Sequence, residues 1–167
     1  MARFQLAQLN IGRAVAPVDS AQLADFVAAL APINALADQA PGFAWRFQTD
    51  EGNATALRPY NDDRVMVNFS VWENAETLHA FVYKTVHAKV MARRREWFEK
   101  MTDPFMVLWW VPAGHRPTIE EAIARLDMLR TLGETAEAFT FKKLFPPPGE
   151  VSQESADGLW PDACPAT

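Results

Sequence analysis

The sequence predicts an α+β domain of ferredoxin-like plan, and three observations predict it. Alternating apolar residues mark strands, apolar residues at helical spacing mark helices, and the two kinds succeed each other as β, α, β, β, α, β before an additional helix and strand. At 167 residues the chain is long enough for one domain with a sizeable core. Residues 1–145 are assigned to that domain. The proline-rich, polar stretch 146–167 is read as a mobile tail with Trp160 as its one anchor.

The elements follow in order. Residues 3–11 read as a first strand. Asp19 with Gln22 three positions on is the acidic start of a helix whose apolar spacing runs from Leu23 to Ala37, through a kink at Pro32, until Pro41 and Gly42 end it. Phe43, Trp45 and Phe47 alternate with Ala44, Arg46 and Gln48 in a second strand. A polar loop, 49–63, leads to a third over 64–72. Asn74 caps one long helix reaching Lys100, and Asp103-Pro104 breaks the chain after it. Residues 105–111 are apolar on both faces and form a central strand. Thr118 and Glu121 open another helix, Gly133 stops it, and residues 137–144 make the last strand.

Helices packed on one face of an antiparallel sheet leave the other open. The candidate open face carries Met66, Trp72, Met106, Leu108 and Trp110, an apolar patch that a second subunit would cover, so a homodimer joined sheet to sheet is expected.

Composition narrows the function. A formal net charge of −5 argues against a nucleic-acid surface, which needs lysine and arginine to neutralise phosphates. The βαββαβ order is shared with a common RNA-binding module, but the third strand lacks the glycine-aromatic signature of that module. One cysteine, Cys164, allows neither a disulfide framework nor a thiolate metal cluster, and a cytoplasmic protein is expected. No apolar stretch reaches membrane-spanning length. The three histidines have no metal-ligand spacing, and no glycine-rich loop is present to cradle phosphate.

The chemistry concentrates on the long helix. His79, Tyr83, His87 and Arg94 share a stripe with Val86, Val90, Trp97 and Phe98, within roughly 120° at 100° per residue. Unpartnered burial of such groups costs several kcal/mol, so they satisfy one another or line a cavity holding a polar small molecule. His87 is the candidate base, with Tyr83 orienting and Arg94 anchoring a carboxylate or enolate. The alternatives are a core histidine satisfied locally and an arginine paired with Glu73 or Glu96. Any of Trp45, Trp72, Trp97, Trp109 and Trp110 could wall a flat ligand, and Trp72 and Trp97 are the candidates taken. Asn68 needs partners in its apolar strand, which Gln8 or Asn10 could supply. His115, in the loop before the last helix, either reaches the same cavity or fixes its turn.

Several stretches together resemble a bacterial family known only as domain of unknown function 3291. They are Leu6-Ala7-Gln8-Leu9-Asn10, Val71-Trp72-Glu73, Phe81-Val82-Tyr83 with His87, Arg94-Arg95-Glu96-Trp97-Phe98, Leu108-Trp109-Trp110-Val111-Pro112-Ala113-Gly114-His115 and Ala138-Phe139-Thr140-Phe141. The resemblance implies a dimeric α/β barrel similar to the antibiotic-biosynthesis and haem-degrading monooxygenases. In the haem-degrading relatives a first-strand asparagine, a third-strand tryptophan and a helix histidine form the working set. Asn10, Trp72 and either His79 or His87 occupy similar places here. The expected function is that of a cofactor-independent monooxygenase or proton-transfer enzyme on a small aromatic or polyketide-like molecule. The alternative is a protein that binds haem or another hydrophobic molecule without reacting it.

Overall fold

A computed structural model describes residues 3–48 and 59–150. The loop residues 49–58 and the expected tail over 151–167, with Trp160 and Cys164, lie outside the described residues. Strands β1 (Phe4–Arg13), β2 (Phe43–Arg46), β3 (Val65–Trp72) and β4 (Met106–Pro112) form one sheet in the order β2-β3-β1-β4, every neighbouring pair antiparallel. Helix α1 (Ala24–Asp38) joins β1 to β2. Three short helices, α2 (Ala75–Lys84), α3 (His87–Ala92) and α4 (Arg94–Trp97), join β3 to β4, and α5 (Ile119–Leu132) follows.

Strand periodicity sorts side chains onto two faces. Ala7, Leu9 and Ile11 lie on one face with Phe69, Val71, Val107 and Trp109, and α5 packs there through Ala122, Leu126 and Leu129. The other face carries Leu6, Gln8, Asn10 and Gly12 of β1, opposite Trp72, Ser70, Asn68 and Met66 of β3. Ala37 of α1 and Ala75, Leu78 and Phe81 of α2 cover its apolar end, joined by Phe139 and Phe141. The face expected to be bare is therefore the one under the helices. Met66, Trp72, Met106, Leu108 and Trp110 pack inside the subunit, so the reasoning that led from them to a second subunit does not apply.

Three local expectations also change. The long helix is broken at Thr85, whose backbone is extended at φ −118° and ψ −179°. Its hydroxyl donates to the carbonyl of Phe81 at 2.6 Å and accepts from the amide of His87 at 3.2 Å, taking over bonds that a continuous helix would make along its backbone. Asn74 does cap α2, through a reciprocal box with Thr77. The first helix begins not at Asp19 but with a tight turn over Ala21–Leu23, where Leu23 is buried beside Ala14 and Trp97. Pro32 stays inside α1.

The last expected strand keeps a single bridge to the sheet, Leu108 with Phe139, whose backbones exchange bonds of 2.7 and 2.9 Å, and two local bridges, Thr135 with Ala138 and Thr140 with Lys143. Threonine hydroxyls on either side hold turns instead of a ladder. That of Thr135 accepts from the amide of Glu137, while that of Thr140 accepts from the amide of Lys142 and donates to Glu134. Thr118 and Gly133 bound α5 as expected, Thr118 accepting from the amide of Glu121 and Gly133 adopting φ +74°.

Candidate functional site

Between the polar rows of β1 and β3 and the helices above them lies a cavity of about 180 Å³. Its floor is Gln8, Asn10, Asn68 and Ser70. Its roof and walls include His87, Tyr83, Arg94, Trp72 and Trp97. Asn68 is exposed although it sits mid-strand in an inner strand of the sheet, and Asn10 opposite it is half-buried, so the mouth opens over this asparagine pair. Gln8 and Ser70 lie deep, each only 6% exposed.

The floor is a hydrogen-bonded chain. The Gln8 amide nitrogen donates to Asn68 Oδ1 at 2.8 Å and to Ser70 Oγ at 2.9 Å, the cross-strand partnership expected for Asn68. The backbone carbonyl of Asn68 lies 3.4 Å from the same nitrogen, which fixes the orientation of the amide, since its oxygen would there face another oxygen. The indole of Trp72 also donates to Ser70 Oγ, at 2.9 Å.

The break at Thr85 shapes the roof. Ending α2 at Lys84 leaves the carbonyl of Val82 among those with no helical donor. His87 meets it, Nδ1 lying 3.3 Å from the oxygen. A carbonyl only accepts, so Nδ1 carries the proton and Nε2 keeps its lone pair. No described residue bonds Nε2, and the ring lines the cavity. Burial holds the imidazole below its ordinary pKa of 6.5, an effect larger than the opposing one of the Val82 carbonyl, so His87 is neutral at pH 7.

Arg94 reaches the cavity from α4. Its guanidinium donates to the carbonyl of Ile11 at 3.2 Å and lies over the rings of Phe98 and Phe105. The carboxylate of Glu96 goes instead to Arg93, which also pairs with Asp25. Gly12 makes this end possible, since a Cβ there would stand 2.7 Å from the Phe98 ring and 3.2 Å from the guanidinium. At the β2 edge the guanidinium of Arg46 is held by Asp38 at 2.7 and 3.2 Å.

Seven of the residues singled out from the sequence thus meet at one cavity: His87, Tyr83, Arg94, Trp72, Asn68, Asn10 and Trp97. Two do not line it. His79 is buried against the rings of Tyr83 and Phe141, and burial lowers its pKa. His115 pairs with Glu121 at 2.9 Å, and the other oxygen of that carboxylate accepts from the indole of Trp109. Among the described residues no three His, Cys, Asp or Glu side chains gather to hold a metal ion, and no helix is long and apolar enough to cross a membrane.

The profile of the domain of unknown function DUF3291 matches residues 5–155, nearly the whole chain. The chain belongs to that family. The search of curated proteins found no match. Among solved structures the chain is similar to the NE2512 protein of unknown function from Nitrosomonas europaea, at 17% identity and a TM-score of 0.41, over 70% of this chain and 95% of that one.

For this DUF3291 protein, sequence reasoning passed over Ser70, Gln8 as a cavity residue, and Arg46. A signal was present. Gln8 and Asn10 alternate on β1 as Asn68 and Ser70 do on β3, and two such polar rows, each on one face of a largely apolar strand, mark one wet patch on the sheet.

Proposed function

We propose that the cavity binds a small, mostly apolar molecule of about one aromatic ring carrying an acidic hydroxyl, and that His87 removes its proton. The observation that carries this is the His87 imidazole, bonded through Nδ1 to Val82 and presenting an unshared Nε2 to the cavity. The O–H bond of a phenol or enol breaks, its electron pair stays on the ligand oxygen, and the proton goes to Nε2. The resulting imidazolium keeps its Val82 partner at the C-terminal end of α2, where positive charge is favoured. This deprotonation is the step common to a proton-transfer enzyme and a cofactor-independent monooxygenase, and it is what these residues supply. Tyr83 and Arg94 orient the ligand, and Trp72 and Trp97 wall it.

Size favours this over haem binding. A cavity of roughly 150 Å³ holds one benzene, and drug-sized ligands occupy roughly 300–1,000 Å³. At about 180 Å³ the site is the size of a single substituted ring, which favours such a ligand over a tetrapyrrole although His87 has the right donor atom. The order β2-β3-β1-β4, with β1 and β2 parallel across β3, supports reading the domain as ferredoxin-like with α5 added.

The test uses para-nitrophenol at a pH where the free compound is mostly protonated and colourless. Binding to the wild-type protein brings up the yellow phenolate band, and His87→Gln abolishes the band. An unchanged spectrum with wild type, or a band that survives in His87→Gln, contradicts the proposal.

A further inference from the structure

We infer that the Ser70 hydroxyl is a fixed hydrogen-bond donor on the cavity floor, and that it selects ligands presenting an acceptor oxygen, a carbonyl or an oxyanion, at that point. The inference rests on the reading of the cavity as a ligand site and names the ligand group the floor receives.

A serine hydroxyl has one proton and two lone pairs, and ordinarily rotates to donate or accept as its neighbours require. Here the choice is removed. The Trp72 indole is a donor only, so Oγ must accept from it. The Gln8 amide nitrogen, its orientation set by the Asn68 carbonyl, is the second donor. Both lone pairs are taken, and the proton is left with the remaining tetrahedral direction. No described group accepts it, although Ser70 is 6% exposed and lines the cavity. A buried donor without an acceptor is costly, and a ligand oxygen relieves that cost where a ligand carbon cannot. The donor lines the same cavity as His87. A hydroxylated ring deprotonated by His87 would leave an oxyanion, the acceptor such a donor stabilises best.

The experiment separates Ser70 from His87 by using a ligand with no proton to lose. Acetophenone and α-methylstyrene have nearly the same shape, and only the first offers an oxygen. The neutral imidazole has no Nε2 proton to give it. Calorimetric titration of the wild-type protein should show acetophenone binding roughly tenfold tighter, the worth of one buried hydrogen bond. Ser70→Ala should bring the two ligands to parity, with α-methylstyrene held as before and the para-nitrophenolate band weakened but not abolished, since its base remains. Trp72→Phe keeps a ring in place and returns a lone pair to Ser70, and it should shrink the preference too. That second variant keeps the inference testable if Ser70→Ala fails to fold. A preference for acetophenone that persists in both variants, or no preference in a wild-type protein that still turns para-nitrophenol yellow, overturns the role of Ser70 and leaves that of His87 standing. Failure of all three compounds to bind overturns both.

Discussion

The two faces of the one sheet are built from the same three inner and edge strands to opposite ends. Under α5 the rows are Ala7, Leu9, Phe69, Val107 and Trp109, closed by Leu126 and Leu129, with the Trp109 indole satisfied by Glu121. Under α1 to α4 the rows begin with Leu6, Trp72 and Leu108, then turn polar at Gln8 and Ser70 and reach solvent at Asn68. The first face is packed for stability. The second gives up close packing along half its length and holds polar groups in fixed orientations around a hollow.

That contrast can be broken most forcefully on the α5 face. Trp109 is wholly buried, and Trp109→Ala should cost about 3–5 kcal/mol, measured by urea denaturation, from the lost contacts and the cavity left behind. At temperatures where the variant remains folded, its binding of para-nitrophenol should be close to that of wild type, because the substitution opens no path into the other face. Gly12→Ala acts on the cavity side. Its new methyl group collides with Phe98 and crowds Arg94, so a loss of about 1–3 kcal/mol is expected, with weakened probe binding that Trp109→Ala does not share. Equal effects of the two variants on binding would show that the faces are not separate.

The smallest effect is that of pH. Burial lowers the pKa of His87 in the folded protein, so below about 6.5 the unfolded chain takes up the proton first. This contribution to stability is complete above 6.5 and is lost as the pH falls through the folded value. His79 shifts in the same direction for the same reason. In His87→Gln the acid limb of the stability curve should therefore be shallower than in wild type, though not flat.

Much of this architecture is legible in the sequence. The apolar runs place β1, β3 and β4 within a residue or two, although β4 lies at the sheet edge and not at its centre, and Asn74, Thr118 and Gly133 mark helix ends whose chemistry is local. What cannot be read there depends on contacts made through space. Thr85 fits a helical pattern, and only its hydroxyl bonds to Phe81 and His87 convert it into a break. The stripe that brings His79 and His87 together on a continuous helix is therefore divided, His79 going to the Phe141 ring and His87 to the cavity. The sequence places Ser70 two residues from Asn68 and so on the same strand face, but its role comes from two donors on other residues, and the floor is assembled by the register of β1 and β3.

The central claim is that a helix break sets the tautomer of His87 and points an unprotonated nitrogen at the cavity. Nitrogen NMR of the protein with labelled histidine, followed through a pH titration, reads both properties directly. The account predicts a neutral ring protonated on Nδ1 at pH 7, with a midpoint below 6.5. A proton on Nε2, or a midpoint at or above 6.5, would contradict it.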